Sequence, residues 1–194
     1  MKRNIVILVL GSCCLFNSCY ELDLNPLSQG SSENWYSSET EIEMALKDGY
    51  RQDFWPKDKE EWTDDYVYRE TNSAIVNGTL NGQTDEVTKM WSNQYKAIAR
   101  ANTVLANMEK AQSLGISQSK IDQYTAEAYF LRASMYSTLI SHFGDVVYVT
   151  EVMDVDQAFE VGRTAKAEII PKVYEDFDKA AAGLPLVYTG STSQ

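Results

Sequence analysis

The stretch Ile121-Asp122-Gln123-Tyr124-Thr125-Ala126-Glu127-Ala128-Tyr129-Phe130-Leu131-Arg132-Ala133-Ser134-Met135-Tyr136-Ser137-Thr138-Leu139-Ile140-Ser141-His142-Phe143-Gly144 decides the fold class. Ile121, Tyr124, Ala128, Leu131, Met135, Leu139 and Phe143 recur three and four residues apart. That spacing puts them on one stripe of a long amphipathic helix. Ser117 is placed to cap its start, and Gly144 supplies the stop. Just upstream, Trp91, Tyr95, Ile98, Asn102 and Leu105 take the same steps, with Ala97 and Ala101 beside them. This earlier helix is expected to run until about Gly115. A turn of a few residues between two such helices folds them into an antiparallel hairpin.

Working outward, the β-branched run Val146–Val152 reads as extended. A last helix is expected from about Thr164 to Ala182, burying Val173, Phe177 and Ala180-Ala181. Pro171 should kink it or mark its true first turn, and Gly183 and Pro185 end it. Toward the N-terminus, Ser38 and Glu41 have the spacing of a capping box. Ile42, Ala45, Leu46 and Gly49-Tyr50 carry that helix to Phe54, where Pro56 stops it. Lys57–Thr84 holds no period; it contains the turn signals Asn77-Gly78 and Asn81-Gly82 and reads as a long loop region. The expected architecture is all-α: tetratricopeptide-like helical hairpins with a long loop region. Such a hairpin needs a further helix pair to cover it, so the chain is expected to be the N-terminal portion of a longer protein.

Composition narrows the functional classes. The 194 residues carry 17 Lys+Arg against 28 Asp+Glu, a formal charge of −11, which argues against non-specific nucleic-acid binding. The single His removes most His-based metal sites, and there is neither a Cys-x-x-Cys pair nor a Gly-rich phosphate loop, so no cofactor or metal is expected. His142 lies near a helix end without a recognisable nucleophile motif. Asp64-Asp65 with Glu70, like Asp154 and Asp156, reads as a solvated acidic surface, and Glu109 and Glu127 as ordinary exposed helical charges.

The N-terminus reads as an address. Lys2 and Arg3 precede the apolar run Ile5–Leu10, then small residues and Cys13, Cys14 and Cys19. The apolar segment is too short to span a bilayer, and the order of charge, apolar run and small residues is that of a secretory signal. The segment resembles a bacterial lipoprotein signal, in which a Cys after small residues is acylated. Cys19 is the favoured site, with Cys13 as the alternative. Residues 1–18 are then the signal peptide, 19–37 a tether or lead-in, 38–185 the helical domain and 186–194 a closing loop. Cleavage removes Lys2 and Arg3, leaving a more acidic mature chain whose only Cys is the anchor.

Several segments then carry a family resemblance. Cys19-Tyr20-Glu21-Leu22-Asp23-Leu24-Asn25-Pro26 resembles the mature start of SusD/RagB-like proteins, the nutrient-binding lipoproteins of the Bacteroidetes outer membrane. Trp91-x3-Tyr95-x2-Ile98-x2-Ala101-Asn102 resembles their first tetratricopeptide-like helix. Ala126–Ala133 and Phe143-Gly144-Asp145-Val146 resemble the second helix and its exit, with Val147 where the family usually has Pro. Arg163, Tyr174-x-Asp176-Phe177-x2-Ala180 and Leu184-Pro185 match the helix that follows. The resemblance implies a non-catalytic glycan-binding lipoprotein facing the exterior, which delivers its ligand to a SusC-like TonB-dependent transporter. It also implies a longer protein whose remaining part completes the ligand site.

The loop region offers Trp55, Trp62, Tyr66, Tyr68, Arg69 and Asn72. Sugars present apolar CH faces to aromatic rings and hydroxyls to planar amides and guanidinium groups. Trp62, Tyr66, Arg69 and Asn72 are therefore the candidate glycan contacts, set against a packing role under the loop. Two other readings compete: a secreted glycoside hydrolase using the loop carboxylates, and a helical adaptor that binds protein.

Overall fold

The computed structural model describes residues 35–55, 63 and 74–187, and the compact helical unit begins at Tyr36. Its helices are α1 (Glu39–Asp48), α2 (Asp85–Ala106), α3 (Met108–Ser113), α4 (Gln118–Phe143), α5 (Val155–Glu160) and α6 (Lys166–Gly183), with one 3-10 turn at Gln52–Phe54. Among the described residues the β content is a single antiparallel bridge between Val146 and Thr164. The all-α hairpin architecture read from the sequence is the one observed.

The central element is α4, packed extensively on α6 and α2 and more lightly on α1 and α3. Six of its seven stripe residues are buried, and Phe143 is half-buried. Being flanked by two long helices, α4 also buries Ala126, Arg132, Ala133, Tyr136 and Ile140 outside that stripe. The core gathers Phe54, Ile98, Met135, Tyr136, Leu139, Val146, Ile169 and Val173. Full burial of each large apolar side chain contributes roughly 1.5–3 kcal/mol before conformational entropy is subtracted.

Small residues set the closest approaches. A Cβ on Gly183 at the end of α6 would meet the Ala126 Cβ at 2.6 Å and the Asp122 carbonyl oxygen at 3.1 Å. After α1, a Cβ on Gly49 would lie 2.5 Å from Leu131 Cδ1. Gly144 turns the chain at φ +70°, a region costly for any side chain, and so ends α4 as expected.

The boundaries differ from the sequence reading in informative ways. The Ser38 hydroxyl accepts from the Glu41 N–H, but the Glu41 carboxylate answers to the N–H and hydroxyl of Ser37, so the box closes one residue early. Helix α1 stops at Asp48, and the path to Phe54 is completed by the 3-10 turn. The helix expected to reach Gly115 breaks at Asn107, whose side-chain amide donates to the Thr103 carbonyl at 2.7 Å, and resumes as α3. Ser117 begins α4 through its backbone carbonyl and makes no side-chain cap. Helix α6 continues through Pro171 in its second turn; Ala181 is exposed, whereas Ile169 and Asp176 are buried. Helix α5 has no counterpart in the sequence pattern. It is a six-residue helix without a buried residue, fixed by a capping box in which Asp154 and Gln157 bond each other's backbone N–H groups.

Candidate functional site

The chain leaving α4 runs extended from Val146 to Glu151 with a single bridge as its ladder pairing among the described residues, so its polar backbone needs other partners. Side chains of the helices supply them. The Tyr95 hydroxyl donates to the Val147 carbonyl at 2.8 Å, and the Asn102 amide donates to the carbonyls of Val149 and Glu151, each at 3.2 Å. Tyr136 Oη donates to the Val149 carbonyl at 2.9 Å and accepts from the Val149 N–H at 2.6 Å. Burial pushes the Tyr95 hydroxyl up to about 12 and raises that of Tyr136, so both stay protonated donors.

Arg132 holds this network together. Its Nε and Nη2 donate to the two Asp176 oxygens at 2.7 and 2.9 Å, while Nη1 reaches Asn102 Oδ1 at 3.1 Å and the Thr150 carbonyl at 3.3 Å. Arg132 is 5% exposed and Asp176 3%. Burial opposes the Arg132 charge, but the bonds and charge of Asp176 outweigh it and hold the guanidinium above its ordinary range. One bidentate pair thus joins α4 to α6 and, through Asn102, both to α2 and to the extended segment.

Of two concavities, one lies on the segment fixed in this way and the other beside the first turns of α2. The first, of about 390 Å³, is lined by Tyr148–Glu151, Met153, Gln157, Glu160 and Val161. The second, of about 360 Å³, is lined by Gly82, Val87, Thr88, Trp91, Phe143 and Arg163. In the second, Trp91 is set edge-to-face against Phe143 at 5.1 Å and tilted on Tyr95 at 5.0 Å, with the Arg163 guanidinium 5.5 Å above its ring. Asp145 frames it from behind: its carbonyl accepts from Arg163 at 3.1 Å, and its carboxylate accepts from the Lys166 N–H at 2.8 Å at the start of α6.

The sequence-derived glycan contacts Trp62, Tyr66, Arg69 and Asn72 lie outside the described residues, as do Cys19, Cys13, Asp64, Asp65 and Glu70. Trp55 is described and committed to structure: its indole N–H donates to the Gly49 carbonyl at 3.2 Å, and the ring stacks between Tyr50 and Phe130. Asp154 is the cap of α5. Glu127, expected as an ordinary exposed charge, is half-buried; burial raises its pKa, against a hydrogen bond from Tyr50. His142 Nδ1 contacts the Thr138 carbonyl at 2.8 Å and the Ser141 hydroxyl at 3.0 Å, on an exposed helix end. Among the described residues no group of three His, Cys, Asp or Glu could hold a metal ion, and no helix is long and apolar enough to cross a membrane. The sequence presents Trp91 and Arg163 only as a stripe residue and a motif residue. Their meeting at one cavity spans separate elements and leaves no local sequence signal.

The fold has clear relatives. A family model described as "Starch-binding associating with outer membrane", of SusD-like type, matches residues 22–193. SusD-like protein P2 of Formosa agariphila is 23% identical over 181 residues, covering 86% of this chain and 35% of that protein. A SusD-like carbohydrate-binding protein from Bacteroides fragilis superposes with a TM-score of 0.63 at 25% identity, covering 81% of this chain and 34% of the other. A laminarin-binding SusD-like protein gives a TM-score of 0.56 at 26% identity, covering 62% and 25%. The chain therefore spans about a third of the length of the first two relatives. With the model matched over nearly its whole length and the helical scaffold shared, the chain belongs to the SusD-like family of outer-membrane-associated, starch-binding-type proteins.

Proposed function

We propose that this chain forms the helical scaffold of a non-catalytic outer-membrane lipoprotein that captures glycans and passes them to a SusC-like TonB-dependent transporter. The carrying observation is the family match over residues 22–193, supported by relatives described as carbohydrate-binding and laminarin-binding. Cys19 would be acylated after removal of residues 1–18, and several acyl chains hold a protein stably on a membrane where one gives marginal binding. The aromatic and planar polar residues Trp62, Tyr66, Arg69 and Asn72 are proposed to contribute glycan contacts from the stretch of sequence that follows Trp55. The Arg132–Asp176 network supports this reading, because a rigid scaffold lowers the entropic cost of presenting a binding surface.

The test uses the full-length protein in its native host. Metabolic labelling with a fatty acid should mark wild type and not Cys19→Ser, and surface proteolysis of whole cells should remove wild type. In affinity electrophoresis, Trp62→Ala/Tyr66→Ala should weaken retardation by a bound polysaccharide tenfold or more. Label retained in Cys19→Ser, or unchanged retardation in the double variant, would remove the corresponding part of the proposal.

A further inference from the structure

The described residues include four arginines. Three meet carboxylates: Arg51 meets Asp48 and Asp53, Arg100 meets Asp48, and Arg132 meets Asp176. Arg163 is exposed and, among the described residues, pairs with no Asp or Glu, in a chain with 28 acids and 17 basic residues. It is nevertheless held in place. Nη1 donates to the Asp145 carbonyl at 3.1 Å, and the guanidinium plane is stationed 5.5 Å from the centre of the Trp91 ring. A guanidinium has five N–H donors in a rigid fork, so this anchoring leaves most of them available.

The cavity below it has an apolar lining of Val87, Trp91 and Phe143, with the Thr88 hydroxyl at its edge. That hydroxyl lies near the Thr84 and Asp85 carbonyls, at 3.3 and 3.1 Å, and keeps lone pairs free to accept. The cavity's volume of about 360 Å³ falls within the roughly 300–1,000 Å³ typical of small-molecule sites. An apolar lining beside a guanidinium that meets no carboxylate among the described residues complements a ring with a CH face and a carboxylate on its edge. We propose that the Trp91–Phe143–Arg163 cavity is a subsite for a carboxylated sugar, a uronate unit of an acidic polysaccharide. This subsite rests on the glycan-capture reading and names the ligand class for the cavity. The overall negative charge does not forbid it: exposed charges beyond about 8–10 Å are largely screened at physiological salt, so the local fork decides. A bidentate carboxylate–guanidinium contact is the strong kind, and it discriminates against the neutral sugar.

The experiment titrates the full-length protein calorimetrically with oligomers of galacturonate, glucuronate and mannuronate, each beside its carboxyl-reduced counterpart. Neutral glucans are included as a third set. Wild type should bind at least one uronate oligomer tenfold or more tightly than its reduced form, with a preference that shrinks as salt rises. Arg163→Gln should lose that preference, its uronate affinity falling to that for the reduced form, and Arg163→Lys should keep part of it; matched melting curves confirm the fold. Equal binding of uronate and reduced oligomers by wild type, or a preference that survives in Arg163→Gln, overturns the subsite and leaves glycan capture standing. Retention of no glycan in any set overturns both.

Discussion

Arg132 and Asp176 show how much of this molecule depends on single side chains. Replacing Asp176 by Ala would leave a guanidinium in a nearly dry interior, and breaking such a pair costs about 3–5 kcal/mol. Urea denaturation should record a loss of that size for Asp176→Ala and a smaller one for the double variant Arg132→Met/Asp176→Leu, which removes both charges. A smaller loss in the single variant would mean that water reaches the pair. Glu127 gives a pH-dependent counterpart. Burial holds its carboxyl above the ordinary range, so the group favours folding while protonated, and that contribution fades as pH rises through its raised pKa. Glu127→Gln should therefore raise the melting temperature at neutral pH and leave it unchanged below pH about 4, where the native acid is already neutral. The sequence makes both kinds of residue visible but not their partners. Arg132 and Asp176 sit in family-like motifs 44 residues apart, and helical periodicity ranks a residue by face without saying which neighbour will neutralise it.

At the level of elements, periodicity finds the long helices because their apolar faces pack against α4, and it finds the stop at Gly144 because a positive φ requires glycine there. It misses the break at Asn107, where one side-chain bond to the Thr103 carbonyl competes with the helix ladder. It also misses α5, whose Val155 and Phe159 stay 72% and 83% exposed, so no burial pattern marks it. Crossing points are legible only in composition. Gly183→Val should destabilise by roughly 1–3 kcal/mol through overpacking against Ala126, whereas Gly162→Ala, with open space around its Cβ position, should be neutral. Paired melting curves decide this, and equal effects would show that α6 can move away from α4. The extended segment predicts a local effect as well. Asn102→Leu removes the donor to the Val149 and Glu151 carbonyls, so hydrogen exchange at residues 147–151 should quicken while α2 keeps its protection. Uniform quickening across both would make Asn102 a global core residue instead.

For the whole molecule, the scaffold is readable from the chain and the binding surface only in part. A helical core repeats a few physical rules along the chain, while a ligand surface is assembled from residues that no spacing connects. Trp91 and Arg163 meet across 72 positions, and nothing local to either announces the cavity between them. The family model matches residues 22–193; capture without turnover is the claim on which the functional account stands. It is tested most directly by affinity electrophoresis of the full-length protein through gels containing neutral and acidic polysaccharides, with reducing ends assayed in the same samples. The account predicts retardation by at least one polysaccharide with no growth of reducing ends over time. Migration unaffected by every polysaccharide, or reducing ends that accumulate with turnover, would contradict it.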